Sequence, residues 1–299
     1  GVVNWWNTYP PDRIRGVIVS DHLLPSEVRG RRLLTRAAAP EAAPLIHPPE
    51  WTERVAAILG DKSPLTEISD PFSDRASFPD WAKPGRLSEH YRIDETLVRI
   101  ALEVEARLHP DLLMLFLPGI DRISHVLWGA LEERTAKGTP WTPRQREAAA
   151  EALRRYYEYT DALIGVLVER YGRDDLVMVV SDHGFEAGSA LGGTTGMHTS
   201  ARALRGVIFA RGRRIQPPPE RDPVSVNDVT PTILAWLGLP VATDMDGKVP
   251  SFLVGGAAGE VASYDTRPVE RTTAAPSGAE QAIVEQLRSL GYLEAHDVP

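Results

Sequence analysis

Three histidines and two aspartates of this sequence fall at the ends of apolar runs or in the loops that follow them. The five residues are Asp121, His125, Asp182, His183 and His198. The first pair comes after the apolar run 111–117, the second pair comes directly after the run 176–181, and the last histidine stands in a glycine-rich stretch. Mixed Asp/His sets without Cys suit Zn²⁺ and similar divalent ions. The pattern therefore predicts a metal site, and none of the five residues falls within a helical periodicity.

Each part of this set also has an interpretation that needs no metal. Asp121 could cap a helix that begins near Ser124. Asp182 and His183, followed by a glycine, could form an ordinary turn after a strand. His198 alone would be typical of a surface loop. The metal interpretation is stronger for the set than for any member, because turn chemistry does not require five such residues in three loops.

The surrounding sequence predicts strands that alternate with helices. Continuous apolar runs are typical of strands buried on both faces in a parallel sheet, and apolar residues at three- and four-residue spacings predict helices. The predicted strands cover 2–6, 16–20, 111–117, 176–181 and 207–210. The predicted helices cover 49–59, 94–108, 143–171 and 227–237. The fold class is therefore α/β, with a mostly parallel sheet flanked by helices, and such sheets bind ligands beyond the carboxyl ends of their strands.

Composition excludes several classes of protein. The 299 residues include 33 Lys and Arg against 41 Asp and Glu, which gives a net charge of −8. We expect no nucleic-acid partner, because phosphate backbones select a basic surface. The sequence contains no Cys, so disulfides, thiolate metal sites and cysteine nucleophiles are excluded. No apolar run reaches the ~18 residues that a membrane-spanning helix needs, and the first residues carry no signal-peptide pattern.

Several segments together resemble a known family. They are similar to the successive metal-binding motifs of the alkaline phosphatase superfamily, and most closely to its type I phosphodiesterase/nucleotide pyrophosphatase branch. The segments are Leu117–His125, Val179–Glu186, Met197–His198 and Gly206–Ile208. Two later segments, 226–240 and 244–248, resemble the helix and the turn that these proteins carry after the last metal ligand. The motifs occur in the order of the family. Gly1–Asp21 also resembles the middle of such a protein, so the resemblance spans nearly the whole chain.

The resemblance implies an alkaline-phosphatase-like fold and a phosphoesterase that acts on phosphodiester or nucleotide pyrophosphate bonds. It implies that Asp121, His125 and His198 hold one Zn²⁺, and that Asp182 and His183 help to hold a second. The family's reaction also uses a Thr or Ser nucleophile, and its second metal takes an Asp from the first strand of the sheet. We find no counterpart of either residue, and therefore expect a sheet without its N-terminal strand and nucleophile segment, and a chain inactive by itself.

Other functions stay open at this point. The same superfamily includes sulfatases, phosphomonoesterases and phosphoglycerate mutases, and a non-catalytic metal-binding fragment is a further alternative. We expect one partial α/β domain over 1–299, with a loop-rich cap at 30–83 and a polar tail at 257–299 that ends in a short helix. The expected partner is a small-molecule phosphoester. The sequence assigns neither a localisation nor an oligomeric state.

Overall fold

The computed structural model of the protein describes residues 1–24, 44–132, 141–190, 194–218 and 223–265. The chain divides into two compact units. The first contains Gly1–Leu167 and Phe185–Ser200, and the second contains Val168–Gly184 with the described residues of Ala201–Ala275. One α/β domain over the whole chain stays a prediction. Part of the predicted cap, 30–43, and the predicted helix of the tail lie outside the described residues.

A four-stranded sheet lies in the first unit. Its strands are β1 (Val2–Val3), β2 (Ile18–Val19), β3 (Ile46–His47) and β4 (Met114–Leu115). The order across the sheet is β3-β2-β1-β4, and β1 is parallel to both of its neighbours, whereas β3 runs antiparallel to β2. The α/β class is confirmed. The sheet is mixed because β3 runs antiparallel to β2. Strand β3 comes from the segment that the sequence predicted to be a loop-rich cap with one helix.

Four helices of the first unit surround this sheet and pack on one another. They are α1 (Thr52–Gly60), α2 (Pro84–Leu108), α3 (Gly119–Leu131) and α4 (Pro143–Val168). Helix α2 is buried on two faces: Leu97 and Val104 pack with residues of the sheet, whereas Tyr91 and Val98 pack with α3 and α4. Among the helices that the structure describes, none combines the length and the apolar character that crossing a membrane requires.

Helix α3 begins earlier than the sequence indicated. The prediction of a helix that begins near Ser124 and is capped by Asp121 is wrong, because α3 begins at Gly119 and places Asp121 in its first turn. His125 lies one turn further along the same helix, so the expectation that none of the candidate ligands is helical is also wrong for this pair. The early start has a physical cause, since the Asp94 carboxylate of α2 accepts a hydrogen bond from the Gly119 N–H at 3.2 Å.

A short hairpin completes the first unit. Strand β6 (Glu186–Ala190) pairs antiparallel with β7 (Thr194–Met197), and the register between them shifts within the hairpin. Strand β7 packs against α3, because Gly196 allows the two backbones to approach closely. His198 follows β7 directly, so this hairpin determines where that histidine lies.

The second unit is built from short elements around a small apolar core. They are β5 (Val177–Ser181), β8 (Val207–Arg211), α5 (Val229–Trp236), β9 (Val241–Ala242) and β10 (Glu260–Val261). Strands β5 and β8 were predicted to be buried in a parallel sheet. This prediction is wrong, because they pair antiparallel with each other, and Val207 and Phe209 are exposed. The alternate residues Ile208 and Ala210 pack on the core of Phe252, as one face of a two-stranded sheet can.

Candidate metal centre

Helix α3 presents two candidate ligands on one face. Asp121 and His125 are four residues apart, a spacing that brings side chains together on a helix. The Asp121 Oδ1 atom lies 3.4 Å from His125 Nε2. His198 joins them from the end of β7, and one ligand atom from each of the three residues lies within 4.8 Å of the others. Since Zn–N and Zn–O distances of about 2.0–2.2 Å place the ligands of one ion roughly 3–4 Å apart, small side-chain rotations would close this group on an ion.

The ring of His125 is oriented for metal binding. Its Nδ1 lies 2.9 Å from the carbonyl oxygen of Gly196, so the tautomer protonated at Nδ1 donates a hydrogen bond there. Nε2 then carries the lone pair, and it is buried without a hydrogen bond in the described part of the chain. A buried imidazole that donates one N–H to a backbone carbonyl and leaves the other nitrogen for a metal is the usual arrangement of a metal-binding histidine. The donor set therefore fits a divalent ion such as Zn²⁺.

Aromatic rings enclose the two histidines. Phe185 packs edge-on against both, with ring centroids 5.1 Å from His125 and 5.8 Å from His198. Trp128 packs on the other side of the phenyl ring at 5.5 Å. His198 is 1% exposed and His125 is 4% exposed, so both imidazoles are held by packing. Such a surrounding limits access of water and strengthens charge interactions at the ligand atoms.

Of the three candidate ligands in the first unit, Asp121 faces solvent most, with 23% of its side chain exposed. The guanidinium Nε of Arg122 lies 3.8 Å from Asp121 Oδ2, whereas His125 Nε2 is nearest to the other oxygen, Oδ1. Tyr157 of α4 lies near this edge. Burial raises the pKa of the Tyr157 phenol, a hydrogen bond with Ser124 opposes this in part, and the Asp121 carboxylate adds to the rise, so the hydroxyl keeps its proton at neutral pH. Sequence analysis did not single out Tyr157, because an amphipathic helix gives no signal for a tyrosine near a site.

Strand β7 is fastened to α3 by a buried threonine. The Thr195 hydroxyl donates to the carbonyl of Val126 at 2.6 Å and accepts from the N–H of Gly129 at 3.0 Å. At the next position, a Cβ on Gly196 would collide with the backbone oxygen of Ser124. These contacts fix β7 along the helix that carries Asp121 and His125. Since His198 lies three residues beyond Thr195, they also set the position of the third candidate ligand.

Replacing Thr195 by Val is expected to lower the free energy of unfolding by about 1–3 kcal/mol, because two backbone groups lose their side-chain partner in the interior. Urea denaturation measures this loss. Thr160→Val is the matched control: its buried hydroxyl donates to Tyr156 O at 3.0 Å within α4, away from the candidate ligands. We expect Thr195→Val alone to weaken Zn²⁺ binding. Equal Zn²⁺ affinity in wild type and Thr195→Val would show that β7 is held without this residue.

The other predicted pair lies in the second unit, in the loop after β5. Asp182 is exposed, the His183 side chain is largely buried, and His183 Nε2 is 3.8 Å from Asp182 Oδ1. The Ser181 hydroxyl donates to His183 O at 2.6 Å, and the Gly184 N–H donates to Ala203 O at 2.7 Å. The loop therefore has a defined backbone. The structure brings Asp121, His125 and His198 together in the first unit, and a second metal held by Asp182 and His183 stays a prediction.

Comparison with known families identifies one family. The family model described as type I phosphodiesterase/nucleotide pyrophosphatase matches residues 5–208, more than half of the chain. The chain belongs to the type I phosphodiesterase/nucleotide pyrophosphatase family. The matched range contains all five predicted site residues. Searches of curated proteins and of solved structures returned no match.

Membership of the type I phosphodiesterase/nucleotide pyrophosphatase family makes this chain part of a hydrolase family whose members bind divalent metals and act on small-molecule phosphoesters. The resemblance predicted from the motifs is thereby confirmed. The group formed by Asp121, His125 and His198 is a candidate metal site within the matched range.

Proposed function

We propose that this protein carries the metal-binding part of a two-metal phosphoesterase that hydrolyses phosphodiester or nucleotide pyrophosphate bonds by in-line displacement. The observation that carries the proposal is the convergence of Asp121, His125 and His198 in a chain of this family. These three residues are the proposed ligands of one Zn²⁺. Asp182 and His183 are proposed to contribute to a second ion.

The residues of the first site have separate tasks. The Gly196 carbonyl holds the His125 ring by its Nδ1, so that Nε2 keeps one direction. Phe185 covers both imidazoles and keeps water from their outer faces. Bound Zn²⁺ would supply Lewis acidity towards a phosphoryl oxygen and would lower the pKa of a coordinated hydroxyl. Arg122, beside Asp121, adds a fixed positive charge at the exposed edge, where an anionic phosphoryl group would approach.

The reaction that we propose also needs a nucleophile. A Thr or Ser that is not among these 299 residues would lose its proton and attack phosphorus, and the leaving oxygen would depart on the opposite side with a proton. Water would then hydrolyse the phosphoester formed on this residue and restore its hydroxyl. Asp182 and His183 would help to hold a second ion, which would supply further positive charge for the phosphoryl transfer. In this proposal the residues of this chain bind the metals and stabilise the negative charge of the substrate. The Thr or Ser hydroxyl outside these 299 residues carries out the covalent step.

Metal analysis tests the proposed ligand set. The chain is loaded with Zn²⁺, freed of unbound metal by gel filtration without a chelator and measured by atomic emission, and we expect two ions per chain. A double variant, Asp182→Asn with His183→Ala, is expected to keep one ion, held by the group in the first unit. A wild-type chain that retains no Zn²⁺ contradicts the proposal as a whole. A double variant that still retains two ions contradicts the assignment of the second pair.

Turnover tests the chemistry. The Zn²⁺-loaded chain of 299 residues is expected to leave bis-p-nitrophenyl phosphate unhydrolysed, because the proposed nucleophile is not among these residues. A longer chain that includes the nucleophile segment is expected to prefer this diester over p-nitrophenyl phosphate and p-nitrophenyl sulfate. A strong preference for the sulfate would favour the sulfatase alternative. Robust hydrolysis by the 299 residues alone would contradict the missing nucleophile.

A further inference from the structure

One carboxyl group of the first unit is completely buried and belongs to none of the proposed ligand sets. Asp94 lies in the middle of α2 with 0% of its surface exposed. A buried carboxyl is costly unless its oxygens are hydrogen-bonded. Both oxygens have donors: the Tyr156 hydroxyl of α4 donates to Oδ2 at 2.9 Å, and the Gly119 N–H donates to Oδ1 at 3.2 Å. Asp94 therefore joins three helices at one point.

The contact with Gly119 replaces an ordinary helix cap. The residue before α3 is Pro118, which makes no side-chain capping bond. The first N–H groups of a helix have no partner within the helix, and a carboxylate satisfies them best. Asp94 serves this purpose from a helix 25 residues earlier. No larger residue than Gly119 fits there, because a Cβ would collide with Asp94 Oδ2 and the Tyr156 hydroxyl.

We propose that Asp94 is a positioning residue of the metal centre: by binding the first N–H of α3, it fixes the helix that carries Asp121 and His125. This inference rests on the proposed function, because it assigns a partner to the ligands proposed there. Asp121 lies two residues after Gly119 in the same turn, and His125 lies one turn later. A rotation or a fraying of this first turn would move the Asp121 carboxylate away from His125 Nε2 and His198.

The later part of α3 is held in place by a contact that does not involve Asp94. Thr195 binds the helix between Val126 and Gly129. With this contact in place, loss of the Asp94 contact leaves the later part of α3 attached to β7 and frees the first turn. The expected defect is therefore local. His125 and His198 keep their relative positions, and Asp121 loses its fixed distance to both.

Zn²⁺ affinity of the full chain, measured by competition with a chromophoric chelator, tests the proposal. We expect Asp94→Leu to bind Zn²⁺ about 10-fold or more weakly, in the range found for residues that orient metal ligands. Asp94→Asn keeps an oxygen acceptor for Gly119 and is expected to stay within about threefold of wild type. Absorption of the Co²⁺-loaded chain reports the ligand geometry, which is expected to change in Asp94→Leu and to be restored in Asp94→Asn.

A pair of tyrosines provides a matched control if Asp94→Leu fails to fold. Tyr156 and Tyr159 are both fully buried on α4, and both donate to α2. The hydroxyl of Tyr156 binds Asp94, whereas that of Tyr159 binds the backbone carbonyl of Tyr91. We expect Tyr156→Phe and Tyr159→Phe to lower the unfolding temperature alike. Only Tyr156→Phe is expected to weaken Zn²⁺ binding, by about two- to fivefold.

The outcomes separate this inference from the proposed function. If wild type binds Zn²⁺ and a folded Asp94→Leu variant binds it with equal affinity, the inference is overturned and the metal centre stays in place. If Asp94→Leu does not fold, equal Zn²⁺ affinity in Tyr156→Phe and Tyr159→Phe overturns it. Wild type that binds no Zn²⁺ overturns the proposed function, and amide hydrogen exchange at Gly119–Arg122 of the metal-free chain then decides. Faster exchange in Tyr156→Phe than in Tyr159→Phe supports the contact, and equal exchange overturns it.

Discussion

Replacing His125 by Ala is expected to reduce the Zn²⁺ affinity of this chain by at least about 100-fold, or about 2.7 kcal/mol. The change removes a buried nitrogen that is already oriented by Gly196 and turned towards Asp121, and it leaves two members of the group found among the described residues. Losing a partner that merely orients a ligand costs about 10–100-fold, so losing the ligand itself is expected to cost at least the upper part of that range. Isothermal titration with Zn²⁺ in a competing chelator measures the difference.

Thermal unfolding gives a second readout for the same change. Zn²⁺ that binds only the folded chain raises the unfolding temperature of wild type, and this rise is expected to vanish in His125→Ala and in His198→Ala. His109→Asn is the control. That imidazole is 77% exposed at the end of α2, and Asn tolerates its positive φ of 43°. An unchanged Zn²⁺ affinity in both His125→Ala and His198→Ala would remove the basis of the proposed metal centre.

The candidate ligands could be found from the sequence because they combine the right side-chain types with strand ends and a family's motif order. Asp121, His125 and His198 meet in space as the motifs predicted. Their local structure could not be found in this way. The start of α3 depends on a hydrogen bond from Gly119 to Asp94. A remote cap of this kind leaves no local sequence pattern, whereas the cap of α4 does, since Thr142 and Gln145 satisfy each other's backbone N–H.

Strand pairing was harder to predict than strand location. Apolar runs located β4, β5 and β8 correctly within a few residues. A run that is apolar on both faces suits a strand of a buried parallel sheet, but it does not identify the neighbour that covers each face. For β5 the neighbour is β8 in antiparallel register, and only the face with Ile208 and Ala210 packs on the core of the second unit. Pairing depends on contacts between residues distant in sequence, which periodicity does not encode.

The three proposed ligands and their supports come from different parts of the first unit. The helix α3 supplies two ligands, the hairpin supplies the third, and α2 and α4 fix the helix through Asp94 and Tyr156. A buried acid at the junction of three helices links the geometry of the site to the stability of the whole unit. Through this link the protonation of Asp94 makes the stability of the unit depend on pH.

The free energy of unfolding is expected to fall as the pH rises from about 4 to about 7. Burial raises the pKa of Asp94 to about 7, and the hydrogen bonds from Tyr156 and Gly119 oppose this only in part. Because the pKa is higher in the folded chain than in the unfolded one, the folded chain holds a proton that the unfolded chain has released throughout this window. The contribution of Asp94 to the free energy of unfolding is therefore fully present below its pKa in the unfolded chain. It falls by about 1.4 kcal/mol per pH unit as the pH rises from that pKa to the pKa in the folded chain, and by about 4 kcal/mol in all.

Asp94→Asn isolates this effect, because the amide is neutral at every pH and keeps an acceptor for the Gly119 N–H. Urea denaturation of both proteins at pH 4, 5.5, 7 and 8 gives two profiles whose difference removes all other titrating groups. We expect the free energy of unfolding of Asp94→Asn, relative to that of wild type, to rise by about 4 kcal/mol between pH 4 and pH 8, with most of the change complete by pH 7. Tyr91, whose pKa is raised to about 12, does not titrate in this range. Parallel profiles would mean that Asp94 is ionised in the folded chain at pH 4, with the bonds from Tyr156 and Gly119 outweighing the cost of burial.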